Sequence, residues 1–371
     1  LCGNIEHVSD VGLFLLPSGQ NLGTNSVMSD SNNVLIRKMT VGDRVPNFYL
    51  KDTGGAPCEL YNTDLTGGPI ILLMTGQGGG NCLRQFTEQA DVFDGFGAHR
   101  YAVVDPHDTA LDDVAVQGGF KLLCDPDASV QNGYLRGSGL TAPALFALDP
   151  NQRIVALAGA SDAGSFADIA RTAFQRIALQ EPPRLIAKQA PVLFIPDVLD
   201  DADCERLIDT WRTGDKRQNE VNVNSNQKSS LASRSEAKRR SDVIIDGTLE
   251  RHLAITLIPR IAPEIERVYA FDKEWGFEKF RVGCYDAKDA GFFRPHRDNP
   301  SEALSHRQFA LSFNLNEGYE GGYLRFPEYG IDHYSPPIGG VLIFSCGLLH
   351  EVVPITAGRR YTLLTFVSTR L

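Results

Sequence analysis

The sequence predicts two domains of different class, an α/β layer fold followed by an all-β sandwich or jelly roll with flanking helices. Three observations predict it. The chain has 371 residues, more than one hydrophobic core usually serves. Between residues 39 and 177, short apolar runs alternate with stretches of helical period, whereas after Tyr269 short strands follow one another with Gly, Pro and Asn between them. Between the two lies Glu181-Pro182-Pro183, and adjacent prolines resist both helix and central strand.

The elements follow in order. Residues 1–38 are rich in Ser, Asn and Gly and read as a poorly ordered leader or an over-extended reading frame, with Met28 or Met39 as alternative starts. They lack the basic n-region and small-residue cleavage site of a secretory signal. The first domain spans 39–178. Its apolar run 69–75 reads as a buried strand, followed by a Gly-rich turn at 76–80. A helix comes next, with Leu83, Phe86, Ala90 and Phe93 on one face and Asn81 as its cap. Strands are expected at 101–105, 121–124, 144–147 and 153–158, with helices near 108–117, 129–135 and 165–176. A linker covers 179–190, and the second domain 191–371. That domain opens with the apolar run 192–195 and an acidic helix start, Asp197 to Asp203, which suits a helix N-terminus. Residues 214–241 are dense in Asn, Ser, Lys and Arg, including Lys216, Arg217, Lys228, Arg234, Lys238, Arg239 and Arg240. They read as a mobile loop, either a lid over an extended or acidic substrate or a solvated surface segment. A helical region at 248–269 precedes the β-rich end.

The net charge of −10 argues against a general affinity for nucleic acid or anionic lipid, since a phosphate-binding surface needs a positive excess. No apolar run is long enough for a transmembrane helix. Seven cysteines stand without a C-x-x-C pair, which fits a reducing compartment, the cytoplasm by default. The oligomeric state is not legible.

Chemistry concentrates in the second half. His296-Arg297-Asp298 places an imidazole and a carboxylate two residues apart, on the same side of a strand. A 2-His-1-carboxylate iron centre needs a third ligand. His350, between the apolar runs 341–344 and 352–354, is the candidate. Ten residues later, Arg360 stands in an otherwise apolar strand, where a guanidinium is costly to bury unless it meets an anion. Arg359 precedes it, so strand alternation decides which of the two points inward.

Tyr285, His296-x-Asp298, Gly321-Gly322, Phe326, His350 and Arg360 together resemble the prolyl 4-hydroxylase-like branch of the iron(II)/2-oxoglutarate dioxygenases, over roughly residues 190–371. The resemblance implies a double-stranded β-helix (jelly roll). It implies iron(II) held by His296, Asp298 and His350, 2-oxoglutarate anchored by Arg360 and receiving a hydrogen bond from Tyr285, and O₂ as cosubstrate, with ascorbate a candidate addition. Asn314 and Asn316 are weaker cosubstrate candidates. The activity implied is hydroxylation of a protein side chain, prolyl among them, or of a small molecule. His99, His107, His252, His306 and His333 are expected to be ordinary histidines, with His333 a candidate for the pocket entrance.

Val41-Gly42-Asp43-Arg44-Val45-Pro46-Asn47-Phe48, followed by the strand, Gly-rich turn and helix, resembles the opening of a peroxiredoxin, over about residues 39–177. This implies an α/β thioredoxin-like fold in which Ala142-Pro143 falls at a frequent cis-proline position. At the family's reactive-thiol position stands Gly79, while Cys82 matches the second member of a thioredoxin-type pair. Cys82 is therefore a possible redox residue or a small buried hydrophobe. The first domain then reads as a docking or regulatory module. Two other readings of the chain stand beside the hydroxylase: a thiol-dependent peroxidase acting through Cys82 or Cys124, and a non-catalytic binding module.

Overall fold

The computed structural model describes residues 37–62, 65, 67–76, 80–104, 115, 117–177, 185–218 and 236–369, together with the short strands Val11–Phe14, Ser26–Val27 and Leu35–Ile36. Two compact units result, whose principal segments are residues 35–184 and 185–371. Most of the leader, Gly79, nearly all of the helix expected at 108–117, and Lys228 and Arg234 lie outside the described residues.

The first unit is built on a seven-stranded mixed sheet. Its order is Ile154–Ala158, Ala144–Leu148, Ile70–Met74, His99–Val104, Lys121–Cys124, Tyr49–Asp52, Pro57–Glu59. Ile70–Met74, His99–Val104 and Lys121–Cys124 run parallel. Strand alternation explains the unbroken apolar run in Ile70–Met74. Ile71 and Leu73 join the core under the helices Gly80–Thr87 and Phe166–Arg176, while Ile70, Leu72 and Met74 join Tyr134 of Ser129–Ser138 on the other face. The Ala142–Pro143 bond is cis. The single helix expected after the Gly-rich turn is two, Gly80–Thr87 and Ala90–Gly95, parted at Gln89, which leaves helical geometry at φ −117°, ψ 18°. Asn81 lies inside the first of these rather than capping it, its Oδ1 accepting from Arg84.

Among the described residues the second unit has two main antiparallel sheets and a two-stranded one, Glu320–Gly321 with Ile355–Ala357. The larger runs Leu193–Ile195, Val341–Ser345, Arg307–Asn314, Arg359–Thr369, Arg281–Asp286, Ser241–Ile244, Arg217–Gln218, and Trp275–Glu278 pairs on Arg359–Thr369. Val11–Phe14 adds to Trp275–Glu278. The smaller runs Lys238–Arg239, Phe292–His296, His350–Val352, Leu324–Arg325, His333–Tyr334. This arrangement is consistent with a jelly roll.

The larger sheet is buried on both faces. Phe309, Leu311 and Phe313 pack under the helices Asp201–Thr213 and Gly247–Tyr269, and Ala310, Leu342 and Phe344 turn towards the smaller sheet. Each such apolar side chain contributes roughly 1.5–3 kcal/mol on burial. The acidic run caps its helix as expected, the Asp200 carboxylate accepting from Asp203 N at 2.7 Å. The loop expected at 214–241 is tied down at both ends, where Arg217–Gln218 and Lys238–Arg239 are strands and Lys238 and Arg240 are buried.

Candidate metal centre

His296 and His350 face each other across the smaller sheet, in direct register. Asp298 reaches them differently from the strand alternation expected. Its strand ends at His296, and the chain then bends, with Asp298 N donating to Cys346 O at 3.0 Å. The carboxylate is thereby set between the rings, with His296 Nε2 3.5 Å from Oδ1 and His350 Nε2 3.4 Å from Oδ2. One ligand atom from each lies within 4.8 Å of the others.

Both rings are oriented by their own backbone. His296 Nδ1 lies 2.8 Å from Arg294 O, and His350 Nδ1 lies 3.0 Å from Leu348 O. A carbonyl only accepts, so Nδ1 carries the hydrogen, and a neutral ring held this way turns its Nε2 lone pair to the common point. Burial lowers the basicity of the His350 ring, outweighing the pull of Asp298. Burial alone would raise the Asp298 carboxyl, but the facing imidazoles outweigh it and hold the group below its ordinary value. An uncharged imidazole and an ionised carboxylate are the forms a divalent metal requires.

The triad opens on a cavity of about 300 Å³ whose lining includes Tyr285, Arg281, Ser312, Phe344, Leu364 and Arg360. Strand parity separates the two adjacent arginines. Arg360 is 1% exposed, donating from Nη1 to Gly322 O at 2.8 Å, whereas Arg359 faces outward and pairs with Asp286 at 2.6 Å. The Arg360 Nε is buried with no partner among the described residues. Such an orphaned donor fits an incoming carboxylate. Gly321 and Gly322 make the approach possible. Both have positive φ, and a Cβ on Gly321 would come within 2.3 Å of Pro354 O. The Tyr285 hydroxyl accepts from Arg240 Nη1 at 3.1 Å, leaving its own hydrogen to donate into the cavity.

Other expectations fare unevenly. Phe326 packs edge-on to Phe344 beside His350. Asn314 accepts from Tyr319, and Asn316 bridges Arg359 O and Tyr361 N, so both brace strand ends. His333 is exposed and absent from the cavity lining. Cys82 is buried in its unit's core, and burial pushes its thiol up, as a packed hydrophobe would have it.

Sequence reasoning missed a group of buried charges along the cavity. Asp242 receives Lys238 Nζ at 3.0 Å and Arg240 Nε at 2.5 Å. Arg307 grips Glu278 through two bonds of 2.8 and 2.7 Å and lies over the Phe366 ring at 4.1 Å. The available signal was parity, because Arg281, Gly283 and Tyr285 share one face of their strand.

Residues 280–368 match the family model of the 2OG-Fe(II) oxygenase superfamily. The match places a 2OG-Fe(II) oxygenase domain in the C-terminal region, over a stretch that contains the triad, Tyr285 and Arg360. A PKHD-type hydroxylase of Synechococcus sp. (strain JA-2-3B'a(2-13)) is 25% identical over 139 residues, 36% of this chain and 55% of that protein. The chain thus spans about half the length of the curated relatives it matches. Among solved structures, a Pseudomonas putida prolyl-4-hydroxylase is similar at 20% identity and a TM-score of 0.37, over 49% of this chain and 94% of that one. The peroxidoxin BcpB of Mycobacterium tuberculosis is similar at 19% identity and a TM-score of 0.31, over 38% and 98%. Among the described residues no helix is long and apolar enough to cross a membrane.

Proposed function

We propose that the C-terminal unit holds iron(II) through His296, Asp298 and His350 and hydroxylates its substrate with 2-oxoglutarate and O₂. One oxygen atom enters a substrate C–H bond, and the other enters the succinate formed as CO₂ leaves. The observation that carries this reading is the convergence of two Nε2 atoms and one carboxylate on a cavity whose wall holds Arg360 with a buried donor to spare. Iron(II) and 2-oxoglutarate, when bound, supply the oxidising chemistry. The chain's own part is positioning. Arg360 takes the distal carboxylate, Tyr285 adds a hydrogen bond, and Phe344, Leu324 and Val352 keep the cavity wall apolar. The substrate is a protein side chain, prolyl residues included, or a small molecule.

The test is succinate formation from 2-oxoglutarate by purified protein under air, with iron(II) and ascorbate, against a chelator control and His296→Ala. Iron-dependent turnover that the variant lacks is expected. Turnover retained in folded His296→Ala sinks the assignment.

The N-terminal unit is read as a peroxiredoxin/thioredoxin-like module for docking or regulation. The buried Cys82 thiol with its raised pKa supports this over a peroxidase. We read the compartment as reducing, the cytoplasm by default, from cysteines that stand without a C-x-x-C pair. A cysteine with depressed pKa that peroxide consumes rapidly, found by thiol titration, restores the peroxidase reading.

A further inference from the structure

The cavity holds more positive charge than the proposed cosubstrate accounts for. Of its buried cations, Lys238 and Arg240 share Asp242, and Arg307 is held by both oxygens of Glu278. Arg360 is the anchor proposed for 2-oxoglutarate. Arg281 remains. It lines the cavity half-buried, with no hydrogen bond or ion pair among the described residues.

Its place separates it from the anchor. Tyr285 stands opposite Arg360 and Arg281 opposite Leu364, so the two arginines are four residues apart along paired strands, about 13 Å. Arg360 is held at its end by Gly322 and Ser312. Arg281 lies among Arg240, Asp242, Arg307 and Glu278, and Arg307 Nη1 reaches the Asp298 backbone at 3.5 Å. Arg281 thus lines the cavity away from the end that holds Arg360. Burial, with the Arg240 and Arg307 guanidinia, lowers its basicity against the pull of Asp242 and Glu278. It remains a guanidinium on the cavity wall, within the field of Asp242 and Glu278 but hydrogen-bonded to neither.

We propose that Arg281 receives a carboxylate of the substrate, so that the molecule hydroxylated is an acid: a free small carboxylic or amino acid, or a peptide presenting an acidic side chain. This rests on the oxygenase reading above. A bidentate guanidinium–carboxylate pair at this wall would hold the substrate by its charged end, with 2-oxoglutarate kept at the far end by Arg360.

The experiment uses matched pairs of probes: L-proline and L-prolinamide as the free-acid arm, and pentapeptides carrying Asp or Asn at the centre as the peptide arm. Each is titrated calorimetrically into the full chain loaded with nickel(II) and 2-oxoglutarate, and assayed for stimulation of succinate release with iron(II). In at least one arm the acid is expected to bind tenfold or more tighter than its amide. Arg281→Met should weaken the acid about ten- to hundredfold and erase the preference, and Arg281→Lys should retain part of it. The proposal is overturned if amides bind as well as acids, if neither arm binds, or if Arg281→Met keeps the preference. It is also overturned if Arg281→Met weakens 2-oxoglutarate instead, which would make Arg281 a cosubstrate residue. Calorimetry needs no turnover, so acid binding through Arg281 without any iron-dependent succinate release would sink the oxygenase reading separately.

Discussion

Arg359 and Arg360 are chain neighbours of equal charge, yet they sit in different media because a strand turns successive side chains to opposite faces. Arg359 forms an exposed pair with Asp286, of the kind worth 0–1 kcal/mol. Arg360 is enclosed with an unpaired Nε. Arg360→Ala is therefore expected to raise the KM for 2-oxoglutarate by about two decades, an uncompensated charge costing a few kcal/mol. Arg359→Ala should change it no more than a few-fold, and steady-state kinetics on both decide the matter. The reverse order would overturn the inward assignment of Arg360. Asp242 answers a different question. Burial would raise its carboxyl, but Arg240 and Lys238 outweigh that and bring it down to about 2. A carboxyl depressed in the folded state stabilises fully above its unfolded value near 4, and that stabilisation is lost as pH falls through the folded value. Asp242→Asn should thus cost about 3–5 kcal/mol at pH 7, and the gap from the unsubstituted chain should narrow only below about pH 4. Urea unfolding at several pH values measures it, and a gap independent of pH down to 3 would show that the charge is not what matters.

At the scale of elements, the site depends on short pieces meeting in register. The Gly321-Gly322 turn brings a carbonyl to Arg360 only because Gly321 adopts φ +74° against the Pro354 carbonyl. Gly321→Ala is expected to cost roughly 1–3 kcal/mol and to raise the 2-oxoglutarate KM together with it. A variant as stable as the parent by thermal melt, with unchanged KM, would show that the turn yields freely. In the sequence the glycine pair stood out only as part of the family resemblance, and its positive φ came from the structure. That His296, Asp298 and His350 converge was legible, since few arrangements accommodate that many costly side chains in apolar strands, whereas which of Arg359 and Arg360 turns inward was not. Asp298 comes beside the two histidines by a bend after His296 rather than by strand alternation, and that bend is not written in H-x-D. The burial of Lys238, Arg240 and Asp242 escaped notice because a run of charged residues has the same composition whether solvated or folded against a strand. Arg281 escaped because its facing depends on the register of Arg281–Asp286 against Arg359–Thr369, a long-range property.

At the scale of the whole molecule, each unit has cores of its own, and the proposed ligands belong to the C-terminal one. That the chain has two parts was legible in its length and in the change from alternating to all-β pattern, while the proline pair expected to link them lies outside the described residues. Ligands stabilise the fold that binds them by RT ln(1 + [L]/Kd), about 2.7 kcal/mol at a hundredfold excess over Kd. Nickel(II) with 2-oxoglutarate is therefore expected to raise the melting temperature of the C-terminal unit by a few degrees. The transition of the N-terminal unit, reported by a probe on Cys82 or Cys124, should stay where it is. A chelator should return the first transition to its starting point, and in His296→Ala it should not move at all. If both transitions shift together, the two units unfold as one cooperative body and ligand in one is felt in the other. If neither shifts although the chain is folded, the three side chains that converge at Asp298 do not bind metal, and the buried Arg360 must find its anion elsewhere.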